Sequence, residues 1–378
     1  MIDFSTLGLS ASLIKALKAN EIVMPTSIQA QAIPAILAGK DLLGIAKTGT
    51  GKTASYVLPI LMQRSGKPAK NRHVDVLILV PTRELAVQVQ GVFHQFGRFE
   101  PKAVKSLAVY GGVSINPQMM ALQGVQILIA TPGRLLELLA SNAVHLNELS
   151  TLVLDEADKM LNLGFKEEVD KVLALLPKKK QTLLFSATLS ENVSLIQQGL
   201  LFDPTIVKVV EPVENLDTIQ HLAYFVREEK KGPLLRHLIN EKDMKQILVF
   251  TSSVYQADNV TDKLLKNGFD AMSIHSQKSQ GARTDALSKF KLGQLRILVT
   301  TDLLARGIDI QFLPYVINYE LPRSPKDYIH RVGRTGRAES PGQAISLITM
   351  ADQAHFKVIQ KKIKKTIDLI DADVIKGI

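Results

Sequence analysis

One loop of the sequence has the residue types and spacing of a phosphate-binding site. It runs from Ala46 to Thr53 as A-K-T-G-T-G-K-T, after an apolar run and before an apolar helical pattern. Glycine at two positions allows backbone N–H groups to turn inward toward phosphate oxygens, and the start of a helix adds a positive dipole. The Lys52 ammonium would neutralise the β and γ phosphates of a nucleotide, and the Thr53 hydroxyl would ligate Mg²⁺. We therefore predict a phosphate site formed by Thr48, Gly49, Thr50, Gly51, Lys52 and Thr53.

Two acidic residues, Asp155 and Glu156, follow another apolar run, TLVL, and could supply the carboxylates that nucleotide hydrolysis needs. Asp155 is placed to hold Mg²⁺ through a water molecule, and Glu156 to orient or deprotonate the attacking water. An acidic pair after a strand also commonly caps the next helix, where it interacts with the helix dipole. The phosphate loop in the same half of the chain favours the catalytic interpretation.

Short apolar runs that alternate with helical patterns predict the elements that position these residues. Runs that are apolar along their whole length are typical of strands buried on both faces of a parallel sheet. They begin at Asp41, Asp75, Ser106, Val125, Thr151, Thr182, Gln246, Asp270, Arg296, Tyr315 and Gln343. The chain is too long for one ordinary core, so we predict two α/β domains, residues 1–207 and 218–378, joined by a linker at 208–217. Ligands of such sheets bind at the carboxyl ends of the strands.

Composition narrows the class of partner. The net charge is +10, which favours a polyanion such as nucleic acid, although a solubilising charge excess is an alternative. Aromatic residues are 5% and Trp is absent, so contacts to the phosphate backbone fit better than base stacking. The absence of Cys excludes disulfides, thiol nucleophiles and cysteine zinc sites and is compatible with the cytoplasm. We expect no membrane segment and no secretory signal.

With Ala157 and Asp158, the acidic pair spells D-E-A-D, and over its whole length the chain resembles the DEAD-box helicases of helicase superfamily 2. Among bacterial members it is most similar to the RhlE-like branch. The resemblance implies two RecA-like domains, each a mainly parallel sheet flanked by helices, with ATP in the cleft between them and RNA lying across both.

The resemblance also implies roles for individual residues. Gln29 would read the adenine edge, with Ile22 and Phe4 nearby, and Gly307 and Asp309 would lie by the ribose. Arg334 and Arg337 would be arginine fingers. Coupling of the ATP state to unwinding would involve Ser186, Ala187, Thr188, Asp158, His330 and Arg331. RNA-binding residues would be Pro81, Thr82, Arg83, Gly111, Gly112, Thr131, Pro132, Gly133, Arg134, Arg283 and Thr301.

Three positions depart from the family pattern. Ile22 stands where an aromatic residue usually stacks on adenine, which would weaken adenine binding. Lys47 replaces a common Gln in the phosphate loop, and Ser276 follows His275 where Gly is usual. None of these changes touches Lys52, Glu156 or Arg334, so we expect an active ATPase.

The predicted function is that of an ATP-dependent RNA helicase with ATP and Mg²⁺ as cofactors. It would act as a cytoplasmic monomer on RNA with little sequence preference, with ribosomal or RNA-decay proteins as possible partners. Two alternatives remain at this point. One is an ATP-gated RNA clamp or scaffold with little unwinding, and the other is a DNA-directed helicase of the same superfamily.

Overall fold

The computed structural model describes residues 3–47, 49–66, 72–209, 219–302, 313–336 and 342–375. The chain divides into two compact units, Met1–Glu211 and Pro212–Ile378. Each unit has its own sheet and its own hydrophobic core. Among the described residues, no helix is both long enough and apolar enough to cross a membrane.

The first unit is built on one parallel sheet. Its described strands are β1 (Leu42–Ile45), β2 (Val76–Leu79), β3 (Ser106–Val109), β4 (Ile127–Ala130), β5 (Thr151–Leu154), β6 (Gln181–Ser186) and β7 (Thr205–Lys208). They lie in the order β3-β4-β2-β5-β6-β1-β7, and every neighbouring pair is parallel. Its described helices are α1 (Ala11–Ala19), α2 (Ser27–Leu37), α3 (Lys52–Arg64), α4 (Arg83–Gly97), α5 (Asn116–Ala121), α6 (Pro132–Ala140), α7 (Ala157–Asn162), α8 (Lys166–Ala174) and α9 (Glu191–Leu200).

The short strands of this sheet are apolar because helices cover both of its faces. Successive side chains of a strand point to opposite faces, so Leu42 enters the core cluster that contains α1 to α4, whereas Leu43 enters the cluster that contains α6 to α9. Both leucines are at most 1% exposed. Helices therefore pack on both faces of the sheet, and this packing fixes the positions at which the loops leave the strands.

The second unit repeats this plan. Its described strands are β8 (Ile219–Phe225), β9 (Ile247–Thr251), β10 (Ala271–Ile274), β11 (Ile297–Thr301), β12 (Tyr315–Asn318), β13 (Gly342–Ile348) and β14 (Leu369–Asp371). They form a parallel sheet in the order β10-β11-β9-β12-β13-β8-β14. The described helices are α10 (Lys231–Glu241), α11 (Val254–Lys266), α12 (Gln280–Lys291), α13 (Pro325–Val332) and α14 (Gln353–Ile363).

The predicted fold class, two mainly parallel sheets each flanked by helices, is confirmed. The sequence reading missed three strands, β7, β8 and β14, which lie at or next to one edge of their sheets. Lys208, the first residue of the predicted linker, ends β7 and pairs with Ile45. Residues 210–217 of that linker lie outside the described residues. Edge strands are half-exposed and so lack the continuous apolar run that marks the central ones.

Candidate nucleotide site and nucleic-acid interface

The strand order divides the loops at one edge of the first sheet into two groups. All strands run in the same direction, so their carboxyl ends meet at this edge. The loops after β1, β5 and β6 carry the phosphate loop, D-E-A-D and S-A-T. The loops after β2, β3 and β4 carry the predicted RNA-binding residues of this unit. The two groups of predicted residues therefore occupy neighbouring halves of a single edge.

The phosphate loop has the backbone conformation that its glycines allow. Gly49 and Gly51 have φ angles of +89° and +92°, in the left-handed region. The Thr50 hydroxyl donates to the Lys47 carbonyl at 2.8 Å, which closes the turn before α3. Thr48 lies outside the described residues.

Gln29 ties the loop to the start of α2. Its Nε2 donates to the Gly51 carbonyl at 3.2 Å, and its Oε1 accepts from the Thr26 N–H at 2.9 Å as part of a capping box. A Cβ at Gly51 would lie 2.5 Å from the Gln29 Nε2. Gln29 is therefore fixed against the phosphate loop, and each polar atom of its amide keeps one further hydrogen-bonding position for a ligand.

Lys52, which follows this loop as the first residue of α3, has a buried side-chain ammonium. The residue is only 6% exposed, and within the described part of the chain its Nζ is buried without a hydrogen-bond partner. Burying an ammonium without a partner is costly unless an anion completes the site. An unpaired ammonium at the start of a helix, beside two left-handed glycines, therefore fits the phosphates of a nucleotide.

Asp155 and Glu156 are both buried at the end of β5. Asp155 is 2% exposed and accepts a hydrogen bond from the Tyr56 hydroxyl at 2.8 Å. Glu156 is 5% exposed, its Oε1 pairs with the Lys159 ammonium at 2.7 Å, and its Oε2 is buried without a hydrogen-bond partner among the described residues. Oε2 is therefore the oxygen of Glu156 that is suited to accept a hydrogen bond from a ligand or to accept a proton.

Two features mark Glu156 as unusual. Its φ of +53° places a non-glycine residue in the left-handed region, a strained conformation that clusters at functional sites. Burial raises the pKa of Glu156 above its ordinary value, and Asp155 adds to this rise. The ammonium groups of Lys159 and Lys52 act in the opposite direction and favour the carboxylate.

A hydrogen bond joins the loops after β5 and β6. The Thr188 hydroxyl donates to Asp158 Oδ2 at 2.9 Å, and the Ser186 hydroxyl donates to the Thr188 carbonyl at 2.7 Å. Ala187 lies between them. The D-E-A-D and S-A-T segments, predicted to couple nucleotide state to unwinding, are thus in direct contact.

The predicted RNA-binding residues of this unit fall into two kinds. Buried members shape the loops: Pro81, Thr131, Pro132 and Arg134. Arg134 is 5% exposed, and its Nη2 donates to the Val113 carbonyl at 2.7 Å, so it holds the glycine loop in place. The members that reach the surface are Thr82, Arg83, Gly111, Gly112 and Gly133.

Gly112 must be glycine because Arg83 crosses it. Its φ is +74°, and a Cβ at this position would overlap the Arg83 guanidinium.

Gln118 was not predicted from the sequence. Its side-chain amide accepts from the Tyr110 N–H at 3.0 Å and donates to the Tyr110 carbonyl at 3.1 Å. Gln118 therefore holds the backbone before the glycine loop, and a single Gln forms no sequence pattern from which this contact could be predicted.

Substituting Gly112 by Ala is expected to weaken RNA binding about tenfold, because the change strains the backbone and displaces Arg83. Nucleotide affinity should be unchanged. Gly91→Ala is the matched control, since Gly91 is not among the candidate RNA residues, its Cβ would meet nothing within 4 Å and its φ is not positive. Fluorescence anisotropy with single-stranded RNA and a non-hydrolysable ATP analogue measures the effect, and equal losses in both variants would contradict the role given to Arg83.

In the second unit, Arg331, predicted to take part in coupling, is the centre of a buried hydrogen-bond network. It is 2% exposed, and its guanidinium forms two hydrogen bonds with Asp302, at 2.5 and 2.8 Å. It also donates to Asn318 and to the Glu320 carbonyl, and lies 4.8 Å from the centre of the Phe250 ring. The side chain is therefore a buried link between the ends of β9, β11 and β12.

The other predicted residues of this unit are placed as follows. Arg334 is half-buried, and its Nε donates to the His330 carbonyl at 3.3 Å. The Nδ1 atom of His330 lies 3.9 Å from Asp327 Oδ1. Arg283 is buried on α12, and Thr301 ends β11. Gly307, Asp309 and Arg337 lie outside the described residues.

The departures and the isolated aromatic also have defined positions. Phe4 is 2% exposed in the core cluster of α1 to α4, and Ile22 packs half-buried against the same cluster. Ser276 is exposed, whereas His275 before it is buried and bonded to Asp258 at 2.9 Å. A ligand contact by Phe4 would thus require movement of a core side chain.

Comparisons with known proteins match both units. Residues 26–196 match the family described as DEAD/DEAH box helicase, and residues 230–339 match the helicase conserved C-terminal domain. The chain is 37% identical over 373 residues to the DEAD-box ATP-dependent RNA helicase CshA of Bacillus cereus, which covers 98% of this chain and 70% of the relative. It is 39% identical over 361 residues to the ATP-dependent RNA helicase CshA of Limosilactobacillus reuteri, covering 95% and 72%. The RhlE-like branch stays a prediction.

Solved structures agree at the level of the fold. The structure of S. cerevisiae Dbp5 bound to RNA and ADP BeF3 superposes with a TM-score of 0.82 at 29% identity, over 98% of this chain and 95% of that one. A DEAD box protein from Methanococcus jannaschii is 34% identical with a TM-score of 0.53, over 98% and 99% of the two chains.

Proposed function

Because the chain belongs to the DEAD-box ATP-dependent RNA helicases, we propose that it couples RNA-stimulated ATP hydrolysis to the local unwinding of short RNA duplexes and to the remodelling of ribonucleoproteins. The observation that carries the proposal is the single sheet edge in the first unit. Candidate nucleotide residues occupy one half of that edge and candidate RNA residues the other. The Thr188–Asp158 hydrogen bond joins two loops of the nucleotide half.

The nucleotide half would hold ATP with Mg²⁺. Lys52 would bind the phosphates, Gln29 the adenine edge, and Thr53 and Asp155 the cation. When bound, Mg²⁺ supplies positive charge that neutralises the phosphate oxygens. The buried ammonium of Lys52 and the buried Oε2 of Glu156 support this assignment, because neither has a hydrogen-bond partner among the residues that the structure describes.

Glu156 would orient the attacking water and accept its proton. Its Oε1 is committed to Lys159, so Oε2 is the atom available for the water. Burial favours the protonated product form, and Lys52 and Lys159 favour the carboxylate that must first accept the proton. The net effect is a raised pKa, which makes Glu156 a better proton acceptor than an ordinary glutamate.

We further propose that hydrolysis requires both units. Phosphoryl transfer depends on positioning and charge neutralisation, and Arg334 and Arg337 belong to the second unit, whereas Lys52 and Glu156 belong to the first. Arginine fingers contribute about a thousandfold or more to such reactions. RNA that contacts both units would favour the same closed state as ATP, so each ligand would strengthen binding of the other.

RNA would be bound mainly through its backbone. The surface-reaching candidates are glycine amides, Thr82 and Arg83, groups that contact phosphates and carry no base code. RNA-bound Dbp5, with its similar fold, supports the choice of RNA. Action as a cytoplasmic monomer, with ribosomal or RNA-decay protein partners, completes the proposal.

Strand separation tests the proposed work. A short RNA duplex and a DNA duplex of the same sequence are offered with ATP or with a non-hydrolysable analogue. We expect separation of the RNA duplex in ATP. Equal separation of the DNA duplex would favour a DNA-directed helicase. Negligible separation, with a long-lived RNA complex in the analogue, would favour an ATP-gated clamp.

A further inference from the structure

Tyr56 is a completely buried side chain that reaches the proposed nucleotide site from inside the protein. It is 0% exposed on α3, three residues after Thr53 and four after Lys52, so the three side chains share one face of the helix. Helical side chains lean back toward the N-terminus, which directs the tyrosine over the first turn of α3. The hydroxyl therefore points toward the site, although the ring is part of the core.

The hydroxyl meets one of the two residues assigned to the cation. It donates to Asp155 Oδ2 at 2.8 Å. This hydrogen bond fixes the orientation in which the Asp155 carboxylate meets the cation or its water. A tyrosine hydroxyl is protonated at neutral pH, so it is the donor to this carboxylate.

Packing fixes the direction of this hydroxyl. The Tyr56 ring lies 5.3 Å from the Phe185 ring, centre to centre, with a 46° tilt. Phe185 fits because Gly44 on the neighbouring strand β1 lacks a side chain; a Cβ there would lie 2.6 Å from the phenylalanine ring. Phe185, which packs over Gly44, therefore supports the Tyr56 ring, and the Tyr56 hydroxyl holds Asp155 from the core side.

We propose that Tyr56 is a positioning residue that orients Asp155 for Mg²⁺ and thereby sets the magnesium dependence of nucleotide binding. This inference rests on the proposed function, because it assumes that the site takes a nucleotide with a divalent cation. A buried tyrosine needs a hydrogen-bond partner in any protein, but a merely structural hydroxyl would not change how nucleotide affinity depends on magnesium.

The test compares Tyr56→Phe with wild type in the full chain. ADP affinity is titrated with MgCl₂ and again in EDTA, and circular dichroism monitors folding. A hydrogen bond to a charged group is removed while the ring packing is kept, so we expect about tenfold more Mg²⁺ to be needed for the same gain in ADP affinity. ADP affinity in EDTA should match wild type.

Tyr328→Phe is the matched control, because Tyr328 is also completely buried and its hydroxyl pairs with His221 Nδ1 at 3.2 Å, in the second unit. It should leave the magnesium titration unchanged. In an Asp155→Asn background, Tyr56→Phe should add nothing if it acts through Asp155.

Several outcomes would overturn the inference. A folded Tyr56→Phe variant with the wild-type magnesium titration would show that the hydroxyl does not position the cation ligands. An equal loss of ADP affinity in EDTA would show general damage to the site. If wild type itself bound ADP without any effect of magnesium, the assignment of the cation site in the proposed function would fail as well.

Discussion

Glu156→Gln is expected to lower the rate of ATP hydrolysis by about a hundredfold or more, the usual contribution of a general base. The amide keeps the size of the side chain but cannot accept the proton of the attacking water. Nucleotide and RNA binding should be retained, because Lys52 and the loop amides are untouched. Single-turnover hydrolysis at saturating RNA, with separate ADP and RNA titrations, measures these effects.

The control for this prediction is Glu167→Gln. It removes the same charge from an exposed residue in the first turn of α8. A rate of ATP hydrolysis in Glu156→Gln that is within a few-fold of wild type would contradict the prediction. Glu156, despite its burial and positive φ, would then act only at the start of α7 through the helix dipole. The alternative reading of the acidic pair would then be correct.

Arg331→Met is expected to destabilise the second unit by about 3 kcal/mol, because it leaves the buried Asn318 and the partly buried Asp302 without this partner. Asp302 loses two hydrogen bonds, and Asn318 and the Glu320 carbonyl lose one each. Denaturant unfolding followed by circular dichroism should show one transition shifted to lower denaturant concentration. The prediction treats a residue of the arginine-rich motif as structural.

Arg334→Met provides the contrast. Arg334 is half-buried, so its loss should leave stability near wild type while hydrolysis falls. Adding Asp302→Leu to Arg331→Met should recover part of the lost stability, because the unpaired, partly buried carboxylate is removed. Wild-type stability in Arg331→Met, together with lost hydrolysis, would instead place this guanidinium on the nucleotide.

Local patterns allowed much of the fold and of the phosphate loop to be predicted. Gly49 and Gly51 have positive φ angles, as a phosphate cradle requires, and the central strands follow the fully apolar runs. Such features depend on a few adjacent residues, and their physical requirements can be read directly from the sequence.

Contacts between distant residues could not be predicted in this way. The partner of Arg331 lies 29 residues earlier, and that of Tyr56 lies 99 residues later. A tyrosine in an apolar helix reads as core, and nothing nearby shows that its hydroxyl meets a carboxylate. Arg134 illustrates the same limit, because burial behind the glycine loop is set by tertiary packing.

Steady-state ATP hydrolysis with single-stranded RNA, with DNA of the same sequence and without nucleic acid tests the central claim most directly. The account predicts strong stimulation by RNA, little by DNA, and loss of the RNA-stimulated rate in Glu156→Gln. A rate that no nucleic acid changes would contradict the proposed coupling of RNA binding to ATP hydrolysis.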